Sequence, residues 1–135
     1  GTRDISAWCS LPVTIEWMAN LVEGGWPAIM KHNHELAIEG RRILCERLGL
    51  ATLCPDEMIA CIATMRIPTD EGTVLPVHEP DPLHKVLQEK YGIQVPVWSW
   101  ESPHGRYFRI SAQVYNHVDE YHYLADALAA EFGIK

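Results

Sequence analysis

The spacing of apolar residues changes along the chain, and each change marks an element. Val13, Trp17 and Leu21 recur at a helical interval, which predicts a helix capped by Ser10 with Pro12 in its first turn. Gly24 and Gly25 interrupt it. A longer helix then opens at Pro27, carries Ile29, Met30, Leu36, Ala37, Leu44 and Leu48 along one stripe, and stops at Gly49. Residues 1–49 thus read as a long, broken helical lead-in. The run "MIACIATM", residues 58–65, is almost continuously apolar and predicts a strand covered on both faces.

Residues 68–80 are rich in proline, glycine and acids and read as a loop. Asp81-Pro82 opens a short helix bearing Leu83, Val86 and Leu87, closed by Gly92. In "IQVPVWSW", residues 93–100, Ile93, Val95 and Val97 alternate, and Pro96, which has no N–H to give a neighbour, marks an edge strand. "ESPHG", residues 101–105, is a turn, and residues 106–114 return as the hairpin partner. Asn116 caps a last helix, with Asp119 and Glu120 where the helix dipole favours acids and Val118, Tyr121, Leu124, Leu128 and Phe132 as its buried stripe. Together these elements predict one α+β domain over residues 1–135. Its α+β unit, residues 50–135, would hold about three strands in an antiparallel or mixed sheet, with helices on one face.

Composition narrows the function classes. A chain of 135 residues suffices for a single core. A net charge of −7, with no cluster of Lys or Arg, argues against nucleic-acid binding. No apolar run reaches the length of a membrane span, and no charged-then-apolar leader opens the chain. Cys9, Cys45, Cys54 and Cys61 form no C-x-x-C pair and read as the reduced cysteines of a cytoplasmic protein. "HNHE", His32 to Glu35, offers a His-x-His pair, but on a helix such positions point to opposite sides, so no metal site is expected there. Trp98 and Trp100, flanking Ser99, read as packing or a subunit contact.

"YFRISAQVYN", residues 107–116, holds the main candidate. On a period of two, Phe108, Ile110 and Ala112 share the core face, so Tyr107, Arg109 and Ser111 share the less covered one. A guanidinium facing a cleft has the fork geometry to take a carboxylate through two hydrogen bonds. The competing reading is a structural ion pair with one of the chain's own 18 acids.

Longer motifs carry a resemblance. "FRISAQVYNHVDEYHYLADAL" resembles the C-terminal signature of the class V aminotransferase family, fold-type I pyridoxal-phosphate enzymes. "GTRDISAW", the following Pro12 and "EWM", then "HNHELAIEGRRILCERLG", resemble the isopenicillin N epimerase-like branch of that family. The likeness runs in order along nearly the whole chain, with the two end motifs the specific ones and residues 50–92 matching only in general pattern. It implies a small C-terminal domain beside a large cofactor-binding domain, in a homodimer acting on an amino acid. Arg109 would hold the substrate α-carboxylate. Gly1 and Thr2 would reach the phosphate of pyridoxal phosphate bound by the neighbouring subunit, for which hydroxyl and N–H donors are suitable chemistry.

The resemblance also implies what this chain would lack. The family's cofactor lysine, its pyridine-nitrogen acid and its ring-stacking aromatic lie upstream of the Gly-Thr segment, whereas Lys31, Lys85, Lys90 and Lys135 lie in helices or at the terminus. No catalytic residue is therefore assigned here, and the chain reads as an excised or truncated piece, inactive alone. Cysteine desulfurases of the superfamily carry a nucleophilic Cys before the Arg-bearing strand; "IQVPVWSWESPHGRY" has none. An epimerase or lyase step on an amino acid is the expectation that remains. The alternative is a free-standing α+β ligand-binding or dimerisation module with the Trp-bearing edge strand as its interface.

Overall fold

A computed structural model describes residues 3–68, 75–77, 79–101 and 104–134. Two helices lead, α1 (Ser6–Ala19) and α2 (Gly25–Leu48), followed by a single 3-10 turn, Asp56–Met58. Then come β1 (Ile62–Ile67), α3 (Pro82–Tyr91), β2 (Val97–Glu101), β3 (His104–Ser111) and α4 (Val118–Phe132). The three strands form one antiparallel sheet in the order β1-β3-β2, so the strand bearing Arg109 is central. β2 takes an edge, as Pro96 at its approach requires.

One face of the sheet is covered by α2 and α4. Ala63, Met65 and Ile67 from β1, Val97 from β2, and Phe108 and Ile110 from β3 meet Ala37, Leu44 and Leu48 of α2 and Tyr121, Leu124 and Leu128 of α4. Leu83 and Leu87 of α3 join the same core. Phe108, fully buried, lies opposite Met65 on one side and Val97 on the other. α2 comes close to α4 at Gly40, where a Cβ would stand 2.8 Å from Cγ of Tyr121 and 3.0 Å from Cδ1 of Ile110. Absence of a side chain is what permits that approach.

Several expectations shift. The apolar run at 58–65 becomes a strand only from Ile62, and β1 alternates between buried and open positions, so it is covered on one face. Ile93 and Val95 pack against the core, but the strand begins at Val97; β3 ends at Ser111 rather than at residue 114. Ser10 does not cap α1: the helix starts at Ser6, where the Asp4 carboxylate accepts the Ser6 N–H at 2.9 Å, and Ser10 Oγ donates to the Ala7 carbonyl. Pro12 lies inside α1, and none of that helix is buried; Val13, Trp17 and Leu21 are all exposed. α2 opens at Gly25 rather than Pro27, after Gly24 in a left-handed turn. The final helix begins at Val118, with Glu120 Oε2 accepting from the His117 N–H and from Asn116 Nδ2. Met30 and Val118 face solvent. Of the turn expected at 101–105, Glu101 ends β2 and His104 and Gly105 open β3, while residues 102–103, like most of the 68–80 loop, lie outside the described residues.

Candidate functional site

The two faces of β3 separate as the alternation requires. Phe108 and Ile110 point into the core, while Arg109 and Ser111 are exposed on the opposite face. Arg109 is fixed from its backbone: its N–H donates to the Pro96 carbonyl at 3.2 Å on one side, and Thr64 of β1 is its cross-strand partner on the other. Among the described residues its guanidinium makes no hydrogen bond or ion pair.

Five of the other arginines have partners, and Arg3, exposed near the start of the chain, has none among the described residues. Arg106 lies three residues before Arg109 and holds both oxygens of the buried Asp81 carboxylate at 2.5 Å. Asp81 also caps α3 through the Leu83 N–H. Arg41 pairs with Asp56 and donates to the Cys54 carbonyl; Arg42 bridges Glu39 and Glu46; Arg47 meets Asp126; and Arg66 donates to the His104 carbonyl. The structural ion pair weighed for Arg109 is thus absent among the described residues. A charged fork on a fixed strand, with no acid against it, is suited to a carboxylate that arrives from outside.

A cleft of about 470 Å³ adjoins it, lined by Arg109, Ser111, Pro96, Tyr115, Glu120 and Tyr121 among others. Tyr121 donates its phenol to the Ser111 carbonyl at 3.0 Å, and burial raises its pKa, so it remains a protonated donor. Behind the strand end, Asn33 Nδ2 donates to Gln113 Oε1 at 2.9 Å, which also accepts the Val114 N–H. The Gln113 N–H in turn donates to Asn116 Oδ1. This chain of amides ties α2 to the segment that follows β3, and so fixes where the strand carrying Arg109 ends.

The remaining candidates are not gathered there. Gly1 and Thr2 lie outside the described residues. Lys31, Lys85 and Lys90 are exposed and face Glu35, Glu89 and Glu131. His32 is exposed while His34 Nδ1 contacts the Ile59 carbonyl at 2.8 Å, so the two imidazoles diverge. No group of three His, Cys, Asp or Glu able to hold a metal occurs among the described residues.

No family model matches the chain. Relatives do. It is 36% identical over 139 residues to the Arabidopsis thaliana protein named "Probable L-cysteine desulfhydrase, chloroplastic", covering 95% of this chain and 28% of that one. It is also 36% identical over 135 residues to the isopenicillin N epimerase of Streptomyces clavuligerus, covering 98% of this chain and 31% of the relative. The isopenicillin N epimerase of Amycolatopsis lactamdurans matches at 29% over 95% of the chain. The chain belongs to the class V aminotransferase-like enzymes. It spans about 30% of the length of these class V relatives. No helix among the described residues is long and apolar enough to cross a membrane.

Two features escaped the sequence reading. The Asp81–Arg106 pair joins the α3 cap to β3; Asp81 was legible as a cap, but its partner depends on how the chain crosses over. Trp98, read as packing or a subunit contact, and Tyr107, read on the less covered face with Arg109, are cross-strand partners with ring centroids 6.2 Å apart, and Tyr107 is buried.

Proposed function

We propose that this chain is the substrate-carboxylate-binding, C-terminal domain of a pyridoxal-phosphate enzyme that epimerises or cleaves an amino acid. One observation carries the reading: Arg109 presents, from a rigid central strand, a guanidinium with no partner among the described residues, on the sheet face that the helices leave open. Similarity to an epimerase and to desulfhydrases supports the reaction class. Pyridoxal phosphate, when bound, supplies the electron sink that stabilises charge at the substrate α-carbon. Among the described residues nothing suits the covalent lysine, since Lys31, Lys85 and Lys90 all lie on exposed helix faces opposite glutamates. The work of this chain is then to hold and orient the amino acid. The Arg109 fork fixes the carboxylate plane, which limits the rotation of the α-carbon relative to the groups that act on it.

The rest of the site belongs to an upstream domain and to the second subunit of a homodimer, in a cytoplasmic enzyme. Gly1 and Thr2 would contact the cofactor phosphate. In the full-length enzyme, Thr2→Val should weaken cofactor retention and leave the fold intact; unchanged retention removes Thr2 from the site. The 135-residue chain alone should be colourless and inactive. A borohydride-trappable pyridoxal adduct on one of its lysines, with turnover of an amino acid, would overturn that division of labour.

A further inference from the structure

Helix α1 gives no residue to the core that the sheet builds with α2, α3 and α4, and it buries none of its own. Yet it is among the most apolar segments of the chain: between Ser6 and Ala19 the only charge is Glu16. Apolar side chains ring it. Trp8, Leu11 and Ile15 follow one side at helical spacing, and Val13 and Trp17 follow another. Trp8 and Trp17 are nine residues apart, about two and a half turns, so they stand on opposite sides. Trp8 is 75% exposed and Trp17 60%. A helix that is apolar all round is built to be buried.

The helix is nonetheless held. Gly24 and Gly25 both take positive φ, and a Cβ on Gly25 would stand 2.8 Å from the Ala19 carbonyl oxygen. Trp26 of α2 donates its indole N–H to the Ile15 carbonyl at 3.2 Å. So α2 carries α1 in a set position with both tryptophan sides open. A two-fold copy of this chain would cover one side of α1 and leave the other in water. A lipid surface would also cover one side, and it favours Lys and Arg on the flank; residues 4–30 contain neither. Polypeptide of the same protein can close around a helix. More than two thirds of each of the two 36%-identical relatives lies outside the part that this chain matches.

We propose that α1 is a docking element, enclosed on both its Trp8 and Trp17 sides by the remaining polypeptide of the full-length protein. The inference rests on the reading of this chain as one domain of a longer enzyme, and not on the role of Arg109. A depression of about 330 Å³ lined by Ser10, Val13, Thr14 and Trp17 offers a seat for an apolar side chain of that polypeptide. Ala37, Leu44 and Leu48 of α2 share a core with Phe108 and Ile110 of β3. Enclosing α1 would therefore set, through α2, where the Arg109 strand stands relative to the rest of the enzyme.

Cys9, exposed on α1, is a built-in probe. Its alkylation by N-ethylmaleimide, followed by peptide mass spectrometry, should be on the order of a hundredfold slower in the full-length protein than in this chain alone. Trp8→Glu and Trp17→Glu should each lower the melting temperature of the full-length protein by roughly 5 °C or more and speed Cys9 labelling, while hardly moving the melting of the chain alone. Equal labelling rates in the two proteins would overturn the proposal, and an effect from one tryptophan alone would contradict enclosure. Protection that rises with the concentration of the chain alone would assign α1 to a second copy instead. Protection gained only on phosphatidylglycerol vesicles would assign it to a lipid surface. If Cys9 is open in a full-length enzyme whose activity still depends on Arg109, this inference fails while the carboxylate reading stands. If Cys9 is protected and Arg109→Ala changes nothing, enclosure stands and the carboxylate reading fails.

Discussion

The two faces of one sheet are built to different rules. On the helix-covered face, Ala63, Met65, Ile67, Phe108 and Ile110 are at most 2% exposed, and these positions are decided by volume. On the other face the same strands carry Thr64, Trp98, Trp100, Arg66 and Arg109, none of them fully buried. The first face holds the strands in place; the second uses that rigidity to aim polar and aromatic groups outward. Substitutions on the covered face should therefore register as stability, and on the open face as binding.

The largest effect tests the covered face. Phe108→Ala leaves a cavity between Met65, Val97 and the helices, and should cost about 3–5 kcal/mol in denaturant unfolding, enough to unfold a marginal domain. Gly40→Ala drives a methyl into the Tyr121 ring and should cost about 1–3 kcal/mol, with the α2–α4 contact loosening first in hydrogen exchange. Trp100→Ala, on the open face, should alter unfolding free energy by no more than about 0.5 kcal/mol; a loss as large as that of Phe108→Ala would erase the distinction between the faces.

The smallest effect lies outside both faces and calibrates them. Hydrogen bonds from Lys90 and Tyr91 hold the Glu131 carboxyl below its ordinary 4.5. Because the folded value is the lower one, the stabilisation is present above pH 4.5 and disappears as pH falls through the depressed value. The melting difference between the wild type and Glu131→Gln should be small at neutral pH and vanish in acid, since Lys90 is exposed and solvent screens the pair.

Much of this architecture was legible in the sequence. The order of elements, the Asp81 cap, the glycine stops at Gly49 and Gly92, and the inward Phe108 against outward Arg109 all follow from local periodicity. The misreadings have one physical origin: local pattern does not say what will cover an apolar residue. The stripe Val13, Trp17, Leu21 predicted a helix with one apolar face, yet α1, Ser6–Ala19, buries none of its residues. The continuous run at 58–65 predicted a strand covered twice, yet Ile62 stands 44% exposed on the open side. For the candidate site, the direction of Arg109 was readable from alternation alone. The partnership of Arg106 with Asp81, which leaves Arg109 as the open cation on β3, needed the tertiary crossing of α3 over the sheet.

The central claim is that Arg109 serves a ligand rather than the fold. In one variant, Arg109→Ala, the melting of this chain and the amino-acid dependence of the full-length enzyme should be measured side by side. Melting should hardly move, because no acid among the described residues is left stranded. The enzyme's kcat/KM should fall by about 2–5 kcal/mol in transition-state terms, with partial recovery in Arg109→Lys, which keeps the charge and loses the fork. A large drop in stability with unaltered kcat/KM would contradict the account.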